Sequence, residues 1–136
     1  MATVVITGAN RGIGLELAKA YIGRGDTVIA TARKPSEATA LKALGVRGPG
    51  KLEVLPLDVA DAGTLPAFTA ALGDRAVDLL VVNSGVSGAR GAHDDAANTA
   101  DAWAKIFTVN VTGAFLTVAA CAPKLSPAGK IAIISS

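Results

Sequence analysis

The chain has 136 residues, of which 51% are hydrophobic and 18% are charged, and its formal net charge is +2. This length and composition fit one globular domain over residues 1–136 and argue against an intrinsically disordered chain. Because the net charge is small and no run of Lys or Arg occurs, we expect neither a nucleic-acid partner nor binding to a membrane surface.

Short apolar runs alternate with helical patterns along the chain. The runs predict strands at residues 3–7, 27–31, 52–57, 77–82 and 130–134. Helices are predicted at residues 13–24, from an N-cap at Ser36 to about Gly45, from a cap at Asp61 to residue 72, and at residues 99–123. Gly25 stands where the first helix needs a C-terminal cap, and a polar loop is expected at residues 84–98.

This alternation predicts an α/β fold with a doubly wound parallel sheet. Because crossover connections are right-handed, the expected strand order is 3-2-1-4-5. The loops that leave the carboxyl ends of such strands open into one crevice. The glycine-rich and polar segments described next are expected to lie there.

The first of these loops carries three glycines, Gly8, Gly12 and Gly14, between a buried strand and a helix. Gly8 permits a tight turn, Gly12 lets backbone approach a phosphate, and Gly14 lets the helix lie close to the sheet. The helix N-terminus then presents free N–H groups and a positive dipole to an anion. An ordinary glycine-rich turn is the alternative; the preceding strand and following helix favour a phosphate site.

Residues 7–14, Thr-Gly-Ala-Asn-Arg-Gly-Ile-Gly, resemble the TGxxxGxG motif of the short-chain dehydrogenase/reductase family, particularly of its small carbonyl-reductase-like members. Four later segments resemble further motifs of the family, in the right order. Leu57-Asp58-Val59 resembles the segment of its adenine-contacting Asp, and Asn83-Ser84-Gly85 resembles its NAG motif. Val109-Asn110 resembles its mid-helix asparagine, and Ile134-Ser135-Ser136 resembles the segment of its catalytic serine. The resemblance covers essentially the whole chain and implies a Rossmann fold that stops before strands six and seven, the N-terminal part of such a protein.

The resemblance also implies residue roles in hydride transfer between a nicotinamide cofactor and a small carbonyl or alcohol substrate. Ser136 would hydrogen-bond the substrate carbonyl oxygen and stabilise charge developing there. Asn110 would open a kink in its helix and help to position a water in a proton relay. The cofactor would contact Gly8, Asn10, Arg11, Gly12, Ile13, Gly14, Arg33, Asp58, Val59, Asn83, Ser84, Gly85 and Val109.

The end of the second predicted strand argues for NADP(H) as the cofactor. NAD-preferring Rossmann domains place an acidic residue there to bind the ribose hydroxyls. This chain has Ala32 at that position, followed by Arg33, whose guanidinium can bind a 2′-phosphate. Asn10 and Arg11 could reach the same group. The alternatives are a solvated Arg33 and an NAD-preferring dehydrogenase.

Several of these residues have structural alternatives. Asp58 could cap a helix or form a turn, Asn83 could tie neighbouring backbone together, and Asn110 could be a plain surface residue. An asparagine inside a helix is mildly unfavourable, which favours a special role for Asn110. Ser84 replaces the family's usual alanine, so its hydroxyl changes the expected geometry near the cofactor ribose.

The family's proton donor is a Tyr-x-x-x-Lys pair that follows the serine, and the Lys lowers the pKa of the Tyr. The sequence contains no such pair, and its only tyrosine, Tyr21, lies in the first predicted helix. The chain as given is therefore expected to bind cofactor better than it turns over substrate. The alternative is a non-catalytic nucleotide-binding or scaffold module.

Four other residues are weaker candidates for function. His93 lies beside two acids in a polar loop, which is a poor metal site, so no metal is expected. Cys121, the only cysteine, is expected to be a buried and unreactive thiol. Trp103 and Phe107 are one helical turn apart and are expected to pack. The family uses this helix in a dimer interface, which implies a homodimer or homotetramer.

The expected location is the cytoplasm. A single cysteine cannot form an internal disulfide and requires no oxidising compartment. The N-terminal residues lack the basic segment and the long apolar run of a signal peptide. No stretch is expected to approach the ~20 apolar residues of a membrane span.

Overall fold

The computed structural model describes residues 1–45 and 48–135 of the chain. Within these residues one sheet contains the strands β1 (Thr3–Ile6), β2 (Thr27–Ala32), β3 (Lys51–Pro56), β4 (Val77–Val82) and β5 (Leu125–Ile133). Neighbouring strands pair in parallel, in the order β3-β2-β1-β4-β5. The predicted fold class and strand order are therefore confirmed.

Helices cover both faces of this sheet: α1 (Gly12–Gly23), α2 (Thr39–Leu44), α3 (Leu65–Leu72), α4 (Ala100–Phe107) and α5 (Ala114–Cys121). Side chains alternate along β1, so Val4 and Ile6 pack in the core layer of α1 and α2. Val5 packs in the opposite layer with Phe68 of α3 and Cys121 of α5. A strand covered on both faces has to be apolar throughout, which is why β1 lacks the alternation of a half-exposed strand.

Of the two predicted N-caps, the one at Asp61 is confirmed and the one at Ser36 is wrong. Pro35–Glu37 forms a separate 3-10 turn, and α2 begins only at Thr39 with no side-chain cap, so the predicted cap at Ser36 is wrong. Proline at the first position of that turn closes it early. Asp61 does act as a cap, since its Oδ1 accepts a hydrogen bond of 2.9 Å from Gly63 N. It caps a 3-10 turn, Ala62–Thr64, that leads directly into α3.

The last strand begins earlier than predicted. β5 starts at Leu125, and its register against β4 shifts between the pairs Val77–Leu125 and Leu79–Lys130. Pro127 and Gly129 lie within the shifted stretch; they weaken a ladder and occur at bulges, which is why the sequence indicated a strand only from residue 130.

The long predicted helix is continuous but not uniformly α-helical. Thr99 caps it, its Oγ1 accepting a hydrogen bond of 3.1 Å from Ala102 N. Between α4 and α5 the residues Thr108–Gly113 form a π-helical segment that contains Asn110, at the place where the sequence predicted an interruption. Such segments widen a helix by one residue per turn and are common at functional sites.

By length and composition alone, the helix Ala100–Lys124 could cross a membrane. The expectation that no stretch approaches a membrane span is therefore wrong on this criterion. The side chains of Thr117 and Cys121 are nevertheless fully buried, and α5 packs against β4. A helix that covers a sheet satisfies the same criterion. Burial also raises the pKa of the Cys121 thiol to about 11, as expected for an unreactive cysteine.

Candidate functional site

The loops at the carboxyl ends of β1, β2, β3 and β4 border one crevice of about 930 Å³. A smaller cavity of about 490 Å³ lies near Ile22 and Leu44, at the opposite end of α1. The large crevice is lined by these sequence-predicted residues: Gly8, Asn10, Arg11, Gly12, Arg33, Asp58, Val59, Asn83, Ser84, Gly85 and Val109.

Three of the predicted site residues that the structure describes do not line the crevice. Ile13 is exposed in the first turn of α1, and Gly14 is buried beneath the loop. Asn110 is exposed and binds the backbone of Val86, a residue that lines the crevice. Ser136 lies outside the described residues.

The glycine loop, which joins β1 to α1, leaves the N-terminus of α1 open to the crevice. Gly8 and Gly12 have positive φ angles of 61° and 58°, which side chains other than glycine rarely adopt. A β carbon on Gly12 would touch none of the described residues, so this glycine keeps the space in front of the helix clear. The N-cap residue Arg11 makes no side-chain capping bond, and the first turn contains no acidic residue. The first N–H groups of α1 are therefore available to an anion.

The glycine loop is fixed to the end of β4. The Oγ1 atom of Thr7 accepts hydrogen bonds from Asn83 N at 3.0 Å and from Ser84 N at 3.2 Å. The Nδ2 atom of Asn83 donates a bond of 3.0 Å to Gly8 O. Asn83 therefore has the structural role that was left open, and it lines the crevice as well.

A second tie joins the π segment to the loop after β4. The Oδ1 atom of Asn110 accepts a hydrogen bond of 2.8 Å from Val86 N, and its Nδ2 donates one of 2.7 Å to Val86 O. One amide side chain thus satisfies both backbone groups of Val86. Asn110 is not a plain surface residue, because it sets where the loop leaves the sheet.

Replacing Asn110 by alanine should make the loop after β4 more mobile at Val86. The change removes two hydrogen bonds, so we expect the free energy of unfolding to fall by about 1–2 kcal/mol. It should also accelerate hydrogen exchange at the amide of Val86. Urea denaturation and exchange measured by NMR would check both effects. Asn98→Ala, which removes one exposed bond to Ala92 O, is the control and should leave Val86 unaffected. Unchanged exchange at Val86 in Asn110→Ala would contradict the role.

Cations outnumber acids around the crevice. Arg11, Arg33, Lys34 and Lys105 line it, together with the acids Glu37 and Asp58. Lys34 and Glu37 are both exposed and lie 3.9 Å apart, a weak solvated pair. Such a crevice favours an anionic ligand.

The ends of β2 and β3 carry two residues that the sequence analysis singled out, Ala32 and Asp58. Ala32 ends β2 as a buried alanine, so no carboxylate stands there. The Oδ1 atom of Asp58 accepts a hydrogen bond of 3.0 Å from Ala60 N, which makes Asp58 a turn residue that also borders the crevice.

Sequence reasoning missed Lys34, Glu37 and Lys105 as crevice residues. No motif contains them. Lys105 reaches the crevice only because α4 passes the carboxyl end of the sheet. A helical signal did exist: Lys105 precedes the predicted site residue Val109 by four positions and shares its side of the helix.

The family model described as short chain dehydrogenase matches residues 2–136. This chain belongs to the short-chain dehydrogenase family. It is 36% identical to a 2-(R)-hydroxypropyl-CoM dehydrogenase of Xanthobacter autotrophicus over 97% of this chain and 55% of that protein. The chain thus spans about half the length of this relative.

Two solved structures show the same fold. One is a carbonyl reductase from Pseudomonas aeruginosa PAO1 in complex with NADP, with a TM-score of 0.89, 34% identity, and coverage of 100% of this chain and 61% of that one. The other is a short-chain dehydrogenase/reductase from Burkholderia multivorans with bound NADP, with a TM-score of 0.89, 28% identity, and coverage of 99% and 58%. Both structures therefore contain the whole part of the fold that forms the crevice in this chain.

Proposed function

We propose that this short-chain dehydrogenase binds NADP(H) and transfers hydride between that cofactor and the carbonyl carbon of an aldehyde or ketone. The observation that carries the proposal is the end of β2, where the uncharged Ala32 is followed by Arg33 at the rim of a crevice rich in cations. A carboxylate at that position would repel a 2′-phosphate, whereas a guanidinium binds one. The NADP bound in two similar structures supports the same cofactor.

The crevice residues fit a dinucleotide. The N-terminus of α1, cleared by Gly12, would hold the diphosphate. Arg33 would bind the 2′-phosphate, with Asn10 and Arg11 beside it in the glycine loop. The remaining proposed cofactor contacts, on the adenine side and along the end of β4, are Asp58, Val59, Val109, Asn83, Ser84 and Gly85. Ile13 and Gly14 would contribute through the backbone turn that they form.

When bound, NADPH supplies a hydride to the substrate carbonyl. The chain's own residues would form part of the site of this hydride transfer. Ile134 N donates a hydrogen bond of 3.0 Å to Val82 O, so the segment leading to Ser136 leaves the sheet beside β4. The role of Ser136 in binding the carbonyl oxygen stays a prediction, as does a proton relay through Asn110. A Tyr-x-x-x-Lys pair would have to come from a longer polypeptide.

Titration with NADPH and NADH by calorimetry tests this proposal. We expect NADPH to bind at least about tenfold more tightly, since its 2′-phosphate adds a charge-assisted contact. Equal affinities would remove the case for Arg33 and favour an NAD-preferring enzyme. Failure to bind either nucleotide would overturn the proposal.

A non-catalytic nucleotide-binding module is the second candidate, because the open N-terminus of α1 and the cations of the crevice fit a nucleotide whether or not a reaction follows. The coding sequence that follows Ser136 distinguishes the two. If it contains the pair, the complete polypeptide should oxidise NADPH in the presence of a ketone, followed by absorbance. A stop codon there, with NADPH binding retained, would support the module. A cytoplasmic location belongs to the same proposal, since Cys121 is free and buried.

We further infer that two copies associate through the outer side of the long helix. Trp103, Phe107, Val111 and Phe115 follow one another at four-residue intervals and are 48–70% exposed. The ring centroids of Trp103 and Phe107 lie 6.1 Å apart, so these two residues form a continuous aromatic surface. An uncharged aromatic face is complementary to itself across a two-fold axis.

Phe115→Glu should therefore weaken dimerisation by at least roughly 30-fold, because burying a charge within the interface is costly. Sedimentation equilibrium measures the change in the chain as given and in any longer form. Lys42→Glu, an exposed change on α2, is the control and should leave the dimer intact. A wild-type protein that stays monomeric would refute the interface.

A further inference from the structure

Ser84 lines the crevice, and among residues 1–45 and 48–135 its hydroxyl group has no hydrogen-bond partner, whereas its backbone N is bonded to Thr7 Oγ1. A β carbon built on Gly8 would lie 2.9 Å from Ser84 Oγ. The hydroxyl therefore faces the glycine loop, on the β1 side of β4 and away from β5.

The backbone around this hydroxyl is held on both sides. Thr7 Oγ1 binds the N–H groups of Asn83 and Ser84, and the Asn83 amide binds Gly8 O. Two residues later, Asn110 binds both backbone groups of Val86. A polar group fixed in this way loses little conformational entropy when it binds a ligand.

The position of the hydroxyl indicates which part of a nucleotide it meets. Ser84 and Arg33 stand on opposite sides of β1, because β2 and β4 flank that strand. Arg33 follows the strand end where the 2′-phosphate is proposed to lie. Ser84 faces Gly8, where the chain turns toward the open N-terminus of α1. A helix N-terminus is the part of the crevice that favours a diphosphate.

We propose that the Ser84 hydroxyl donates a hydrogen bond to the 5′-diphosphate of the bound dinucleotide. The proposal rests on the proposed function, since it requires a nucleotide in this crevice. It adds a side-chain donor to a diphosphate site otherwise formed by backbone N–H groups. Two side chains then recognise different parts of the nucleotide: Ser84 binds the diphosphate, and Arg33 binds the 2′-phosphate.

Binding of three ligands by calorimetry tests the proposal: NADPH, ADP and adenosine 2′-monophosphate, which lacks the diphosphate. We expect Ser84→Ala to weaken NADPH and ADP by about tenfold, the scale of a hydrogen bond to a charged group, and to leave adenosine 2′-monophosphate unchanged. Ser84→Cys keeps the shape but donates poorly and should behave like Ser84→Ala. Ser87→Ala, an exposed change in the same loop, is the control and should change nothing.

The possible results separate this inference from the proposed function. If the wild-type protein binds NADPH and ADP and Ser84→Ala binds them equally well, the inference fails and the nucleotide site stands. An equal loss for all three ligands would also overturn it, because the hydroxyl would then act on the adenosine or on the loop itself. If the wild-type protein binds none of them, both fail. Thermal unfolding of each variant shows that the loss is not one of folding.

Discussion

Gly14→Ala should abolish nucleotide binding and lower the free energy of unfolding by about 2–4 kcal/mol. A β carbon at this position would lie 2.5 Å from both Gly8 O and Asn83 Nδ2, and 3.0 Å from Ala9 Cα. Two of these atoms belong to backbone and cannot rotate away. The methyl group would separate α1 from the loop and break the bond between Asn83 and Gly8. The better helix propensity of alanine, worth about 1 kcal/mol, does not offset this loss.

Gly23→Ala is the matched control, because Gly23 lies in the same helix and a β carbon there meets no described atom within 4 Å. It should keep nucleotide affinity and leave stability unchanged or raise it by up to about 1 kcal/mol. Urea denaturation gives the stability of both variants, and NADPH titration gives the affinity. Equal behaviour of the two variants would show that close packing at Gly14 does not hold the site together.

The sheet was predictable because its determinants are local. Most of β1 and of β4 is apolar (Val4–Ile6 and Leu79–Val82), and strands of that kind have to be covered on both faces, which in a βαβ series leaves few topologies. The glycine spacing then indicated the end of the sheet at which the crevice lies. Helix starts were less predictable, because they depend on which of several polar residues serves as the N-cap. At Ser36 a proline-initiated 3-10 turn took the place of a capped helix.

The walls of the crevice were only partly predictable. Residues inside motifs carry a local signal, as the glycine loop and Asn83 do. The approach of Lys105 depends on how a helix crosses the sheet, which no local pattern encodes. The two hydrogen bonds from Asn110 to Val86 span 24 positions in the sequence. The sequence showed that an asparagine was unusual inside this helix, but the backbone group that it binds could be identified only in the structure.

Arg33→Ala should weaken NADPH binding by about 5- to 150-fold, corresponding to roughly 1–3 kcal/mol, and should leave NADH binding nearly unchanged. The difference arises because the two cofactors differ only in the 2′-phosphate, which the guanidinium would bind as a fork. Arg33 is exposed, and none of the described hydrogen bonds or ion pairs involves its side chain, so its removal should not affect folding. The proposed site also includes Arg11, Lys34 and the N-terminus of α1, so we expect affinity to fall without vanishing.

The control for this experiment is Arg90→Ala, which removes the same charge from an exposed loop position that does not line the crevice. It should alter neither affinity, and raising the salt concentration should reduce NADPH affinity more in the wild type than in Arg33→Ala. A parallel loss for NADPH and NADH in Arg33→Ala would mean that the arginine supports the loop after β2 rather than the phosphate. In that case the absence of a carboxylate at Ala32 would permit NADPH without selecting it, and preference between the two cofactors would have to come from Arg11 or Lys34.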